Sequence, residues 1–218
     1  MNNKSTRNNP NKKLSVVLVD DYRNERDVMA KTLLEQDDYY PVKLIRFADE
    51  AVEYCKNNDV DIVIIDIIMP RGIDGIESAK LIRQNDSEIK IILITSACED
   101  SWIADARAVG ADSFWYKNYS RESFLEIVDR TAAGESIYPD VTPNAPIGKA
   151  TRDDFSEMDL MILRKMVSGL NNNQIAEQVG LSADGVRYHI KAMLKKTDLP
   201  NRVALIVHAV RFGIVVKE

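Results

Sequence analysis

Residues 61–70 read DIVIIDIIMP: four consecutive apolar side chains, Ile62 to Ile65, run into an aspartate at position 66. Apolar residues in a row, rather than at alternate positions, describe a strand buried on both faces, as in a parallel sheet covered by helices. Runs of the same kind flank it: SVVLV at 15–19, VKLIRF at 42–47, IKIILIT at 89–95 and DSFWY at 112–116. Each is followed by an amphipathic stretch, the first ending near Glu35 and the others covering 49–56, 75–83, 99–109 and 120–131. Five strand-plus-helix units over 14–133 predict a doubly wound α/β domain with a five-stranded parallel sheet and helices on both of its faces.

The chain has 218 residues, 45% of them hydrophobic and 29% charged. That length suits two ordinary domains and the apolar content can fill a core. No apolar run approaches the ~20 residues of a membrane span, and the polar start MNNKSTRNNPNKK lacks the apolar region of a secretory signal. No membrane contact is expected. Two isolated cysteines, Cys55 and Cys98, make neither a disulfide framework nor a thiolate metal site, which suits a reducing cytoplasm. Charge is uneven: residues 1–150 carry 19 basic and 26 acidic side chains, residues 151–218 carry 10 and 8. The acidic and basic parts are expected to meet different partners.

Residues 1–13, with four basic and no acidic side chains, read as a disordered arm. Residues 134–152 (GESIYPDVTPNAPIGKATR) hold three prolines and no sustained period, and read as a flexible linker. Beyond them, over 153–218, the pattern is helical only: 156–168, 172–179, 183–197 and 202–212. Ser156, Asn171 and Ser182 stand at helix starts, Gly169 and Gly180 at helix ends. A small all-α, four-helix domain follows.

Three carboxylates fall at strand carboxyl ends, Asp20 and Asp21 after the first strand and Asp66 after the third. This is the edge of an open parallel sheet where ligands sit. Carboxylates so close repel unless a cation neutralises them, and a hard divalent ion, Mg²⁺, is the simplest solution. Thr95 closes the fourth strand and Lys117 the fifth. Nucleophile, metal, hydroxyl and ammonium together are what a phosphoryl group on a carboxylate needs.

The boxes VVLVDD, DIVIIDIIMP, ILITSA and WYK resemble those of response-regulator receiver domains, with their flavodoxin-like fold. The resemblance implies that Asp66 is the phospho-acceptor, supplied by a histidine kinase. It also implies that Asp20 and Asp21 hold Mg²⁺ with the backbone carbonyl of Ile68, that Thr95 is the switch hydroxyl, and that Lys117 contacts the phosphoryl group. Phe114 takes the place of the switch aromatic and is expected to turn inward on phosphorylation. The loop MPRGIDG is one residue longer than the usual MPGMDG, and Asn118 stands where many receivers have Pro. A phosphohydrolase with an aspartyl nucleophile would need a second acid two residues on, where Ile68 stands. An adaptor using the receiver for contacts alone would not need the complete acidic set.

In NQIAEQVGLSADGVRYHIKAMLKK, a short helix and a turn at Gly180 precede a longer helix. On its wheel Val186, Ile190, Met193, Leu194 and Thr197 form the core arc. Arg187, Lys191 and Lys195 recur every fourth residue on an adjoining face, with Tyr188 beside them. A helix of this shape can enter the major groove of double-stranded DNA. His189 points to the side of the core arc and reads as structural. Residues 155–215 resemble a LuxR-type helix-turn-helix domain, and the whole chain is similar to NarL/FixJ-type response regulators. The resemblance places Arg187, Tyr188 and Lys191 among the groove contacts. Gly185 replaces a usual Thr, at ~1 kcal/mol of helix propensity. Met158 and Asp159 replace Arg and Glu, and Thr197 replaces Leu, so DNA affinity weaker than typical is expected. The reading is a cytoplasmic transcriptional regulator, not an enzyme beyond its own phosphorylation and dephosphorylation. It is expected to dimerise when phosphorylated, its nearly all-apolar last helix (VALIVHAV) seeking a second surface.

Overall fold

The computed structural model describes residues 13–69 and 71–215. Apart from Lys13, the basic arm expected at the start lies outside them. The chain divides into two compact units, one drawn from the span up to Thr95 together with Ser101–Asp140, the other from Ser96–Asp100 with the span from Val141 onward.

The first unit alternates β1 (Leu14–Val19), α1 (Arg23–Leu34), β2 (Tyr39–Ile45), α2 (Ala48–Asn57), β3 (Ile62–Asp66), α3 (Gly75–Asn85), β4 (Lys90–Thr95), α4 (Ser101–Ala108), β5 (Ser113–Tyr116) and α5 (Phe124–Ala132). The five strands are parallel, in the order β2-β1-β3-β4-β5. All five residues of β3 are buried, which is why its sequence does not alternate. Successive residues serve opposite faces. Val17, Val19, Val63, Ile65, Ile91 and Leu93 pack with Ala51, Ala79, Ile82 and Ala106 from α2, α3 and α4. Val16, Leu18, Ile62, Ile64, Ile92 and Ile94 pack with Met29, Leu33, Ile127 and Val128 from α1 and α5. Each such Val, Leu, Ile or Met side chain, taken fully out of water, contributes ~1.5–3 kcal/mol.

The order of connection reverses between β1 and β3, so their carboxyl ends are neighbours at the switch point of the sheet. The start of α3 closes on that end. Gly75 donates its N–H to the Ile67 carbonyl at 3.0 Å, and a Cβ at position 75 would stand 2.3 Å from the Asp66 carbonyl oxygen. Only glycine admits this approach.

The segment 134–152 carries more structure than its composition suggests. Phe114 donates its N–H to the Ile137 carbonyl at 2.8 Å, Ile137 donates to Ser113 Oγ at 3.1 Å, and the Tyr138 hydroxyl donates to the Ala111 carbonyl at 2.7 Å. The first of these bonds pairs a backbone N–H on the edge strand. In the second unit β6 (Pro146–Ile147) and β7 (Ala150–Thr151) form an antiparallel hairpin.

A 3₁₀ turn (Arg152–Asp154) leads to α6 (Glu157–Val167), α7 (Asn172–Val179), α8 (Ala183–Thr197) and α9 (Arg202–Arg211). Ser156 with Asp159, and Asn171 with Gln174, form reciprocal capping boxes. Gly180 ends α7 in the left-handed region at φ 70°. The core holds Leu160, Leu163, Met166, Ile175, Val186, Ile190, Met193 and Leu205. Thr197 is buried where a Leu was the family expectation, and its hydroxyl is satisfied by the Met193 carbonyl of its own helix at 2.9 Å. The same helix end is closed by the hairpin, whose Lys149 N–H donates to the Thr197 carbonyl at 2.8 Å.

Candidate functional site

Asp20 follows β1 directly and is fully buried, while Asp66 is the last residue of β3 and 6% exposed. One carboxylate oxygen of each is held by the chain just ahead: Asp20 Oδ1 accepts the Tyr22 N–H at 2.7 Å, Asp66 Oδ1 the Ile68 N–H at 3.1 Å. Lys117, one residue beyond β5, is fixed by its own N–H to the Thr95 carbonyl at 2.8 Å. Its ammonium lies 2.7 Å from Asp20 Oδ2 and 2.8 Å from Asp66 Oδ2. Ligand oxygens of Asp20, Asp21 and Asp66 lie within 4.8 Å of one another.

The electrostatics show a deficit of positive charge. Burial pushes the Asp66 carboxyl up to about 6, against the pull of Lys117, and burial raises Asp20 as well. For Lys117 burial lowers the pKa, but Asp66 and Asp20 together outweigh it and raise it. One ammonium thus leaves the carboxylates only partly compensated. An all-oxygen donor set of this density fits a hard divalent cation.

Thr95 is buried and pairs in register with Tyr116, as Leu93 does with Phe114. Strand alternation puts the Thr95 side chain on the same face as the Phe114 ring. Phe114 is 1% exposed and meets Tyr116 edge-on at 4.9 Å between centroids. The ring lies inside, packed in the core of that face.

Two residues near this edge escaped the sequence reading. Glu25, in the first turn of α1, places Oε2 2.7 Å from Lys117 Nζ. Arg26 donates from its guanidinium to the Asp20 carbonyl oxygen. No local signal marked Glu25, because the ammonium it binds lies 92 positions away.

In the second unit α8 buries Val186, Ile190, Met193 and Thr197, while Arg187, Tyr188, Lys191 and Lys195 are all exposed, Tyr188 at 72%. Asp184 pairs with Arg187 one turn earlier. His189 stands apart from this face and bonds Asp159 Oδ1 through Nδ1 at 2.7 Å. Its role is structural, tying α8 to α6. Beside Arg187 an open recess of about 370 Å³ is lined by Asn171, Asn172, Asn173 and Arg202, none of them foreseen. Arg202 is held there by Asn172 Oδ1 at 2.7 Å and the Leu170 carbonyl at 2.6 Å. Both cysteines are free and buried, and burial pushes both thiols up to about 12, which leaves them unreactive. Among the described residues no helix is long and apolar enough to cross a membrane.

Residues 16–129 match the response regulator receiver domain, and residues 153–209 match the luxR family of bacterial regulatory proteins. The chain belongs to the response regulators: it is a DNA-binding two-component response regulator of the NarL-like kind, a transcriptional regulator rather than a classical enzyme. It is 29% identical over 200 residues to a nitrate/nitrite response regulator protein homolog of Haemophilus influenzae, covering 89% of this chain and 95% of that one. It is 25% identical over 207 residues to the response regulator VraR of Staphylococcus aureus, covering 93% and 99%. Among solved structures, the signal receiver domain of NarL from Mycobacterium tuberculosis is 26% identical, with a TM-score of 0.53, over 57% of this chain and 99% of that one. Receiver domains generally bind Mg²⁺ in an acidic pocket, and a receiver implies a histidine kinase partner.

Proposed function

We propose that Asp66 accepts the phosphoryl group, and that its phosphorylation by a histidine kinase controls dimerisation and operator binding by the helical domain in the cytoplasm. The observation that carries this reading is the Lys117 ammonium, 2.8 Å from Asp66 Oδ2, facing a carboxylate with two further acids beside it. Asp20, Asp21, Asp66 and the Ile68 carbonyl would hold Mg²⁺. Bound there, the ion would neutralise charge on the phosphoryl oxygens. Lys117 neutralises part of the remaining charge and orients the acceptor carboxylate. Asp20, held by Tyr22 and Lys117, keeps its position while the acceptor reacts. Thr95, on the same edge, offers a hydroxyl to the new group, and with Phe114 on its face it forms the switch. The four-residue spacing of exposed basic groups on α8 supports Arg187, Tyr188, Lys191 and Lys195 as DNA contacts, with 14–133 as receiver and 153–218 as the DNA-binding domain.

Acetyl phosphate and Mg²⁺ test the acceptor directly. The protein should gain the mass of one phosphoryl group, and Asp66→Asn should gain none. Acid-stable label on a Ser or Thr would overturn the assignment.

A further inference from the structure

An ammonium has three N–H bonds, and that of Lys117 has three carboxylate partners: Asp20 Oδ2 at 2.7 Å, Asp66 Oδ2 at 2.8 Å and Glu25 Oε2 at 2.7 Å. A phosphoryl group arriving on Asp66 brings oxygens that need one of these N–H bonds. One present partner must then let go. Asp20 is fully buried and its other oxygen is held by Tyr22, so moving it would strand a charge away from water. Asp66 is the acceptor itself. The Glu25 side chain is 48% exposed, on the solvent side of the first turn of α1, and can swing into water at little cost.

We propose that Glu25 is a positioning residue for phosphoryl transfer. It is a displaceable ligand that occupies the third N–H of Lys117 in the unphosphorylated protein and restrains acceptance until it is pushed aside. The inference rests on Asp66 being the acceptor. In the step itself an Asp66 carboxylate oxygen forms a bond to phosphorus, while the bond from phosphorus to the acetate oxygen of acetyl phosphate breaks. Acetate leaves with the electron pair and no proton moves. Glu25 opposes this step twice, by holding the N–H and by placing its charge against an incoming dianion. Its geometry fits a brake better than a helper: among the described residues its hydrogen bond and ion pair go to the ammonium, and no hydrogen bond holds it toward Asp66.

The test is the rate of Asp66 labelling by acetyl phosphate and Mg²⁺ in the full chain, for the wild type, Glu25→Gln and Glu25→Asp, across a salt series. Glu25→Gln keeps the size and loses the charge, and should label about two- to fivefold faster at low salt, the range of one half-exposed charge pair. The gain should shrink as salt screens the charge, and Glu25→Asp, which keeps it, should return toward the wild-type rate. Equal or slower labelling of Glu25→Gln overturns the inference while leaving Asp66 as acceptor. A gain that is independent of salt and shared by Glu25→Asp would mean that α1 has merely loosened, and overturns it too. Absence of label in the wild type would overturn the proposed function and this inference with it.

Discussion

Asp159 and His189 meet at 2.7 Å, so a buried acid on α6 holds α8 through the one histidine on it. Burial raises the Asp159 pKa, but the His189 bond and the Ser156 N–H and hydroxyl contacts outweigh it and hold the group below the usual carboxylate range. A depressed acid contributes stability that is present above its unfolded pKa and lost as pH falls through the folded one. Asp159→Asn should therefore destabilise the protein at neutral pH by about 1–3 kcal/mol, and the difference from wild type should begin to shrink below about pH 4 and disappear only as pH falls through the depressed folded pKa. Urea unfolding at a series of pH values measures both. A difference that persists undiminished at low pH would mean that the charge is not what matters.

Asp66 has the opposite sign. Its carboxyl stands near 6 in the fold against 3.8 for the free group, so between those values the folded state keeps a proton that the unfolded chain has lost. Its contribution is greatest below about pH 4 and is lost as pH rises to about 6, a cost of about 3 kcal/mol without divalent ion. At pH 7 Asp66→Asn should melt at or above the temperature of the metal-free wild type. Added Mg²⁺ should raise the wild-type melting temperature, by the equivalent of ~2.7 kcal/mol at a hundred times its Kd, and the variant's much less. Equal Mg²⁺ shifts in both proteins would remove Asp66 from the metal site.

DNA binding should fall steeply with salt, since Arg187, Lys191 and Lys195 are exposed cations on one face of α8. Lys191→Ala should lower the salt slope by about 1 if it meets a phosphate. Arg187→Ala should also relax sequence preference if the side chain reaches a base. Arg187 is paired with Asp184 in the free protein, so Asp184→Asn should release it and tighten binding. Wild-type affinity in both alanine variants, read by fluorescence anisotropy on operator DNA, would displace the interface from this face.

The last helix leaves Val203, Val207 and Val210 exposed at 67%, 54% and 51%, three apolar side chains spaced to share one face. This is the expected seam for a second copy of the chain. Val207→Asp should leave the monomer folded and weaken dimerisation of the phosphorylated protein by roughly tenfold. Thr95→Ala should still accept phosphate while coupling it poorly to association. Sedimentation with and without a phosphoryl mimic decides, and identical monomer–dimer constants would mean that the receiver does not act through association.

Much of the fold was legible because it rests on local pattern. Runs such as Ile62–Ile65 and Ile91–Ile94 are apolar without alternation only when both faces of a strand are covered, and β3 and β4 are buried as that pattern requires. Ser156, Asn171, Ser182 and Gly180 cap or end helices because their side-chain oxygens or missing Cβ act within one turn. Asp20, Asp21 and Asp66 could be brought to one edge from strand order alone, and their ligand oxygens do cluster.

Other features depend on residues far apart in sequence. The binding of Glu25 to Lys117 spans 92 positions and that of Asp159 to His189 spans 30, and no local period encodes either. The linker composition at 134–152 concealed Ile137 bonding to β5 and Tyr138 bonding to Ala111 just ahead of it, because an unpaired strand edge takes whatever backbone the fold presents to it. The inward position of Phe114 was likewise a matter of packing against Tyr116, which three-residue spacing to Lys117 does not specify. By itself the sequence determined the alternation of strands and helices, the acidic edge and the basic face of α8, since burial and capping are read residue by residue. Which carboxylates meet one ammonium and which ring is buried were decided by tertiary structure, because electrostatic and packing energies depend on distances that only the folded chain sets.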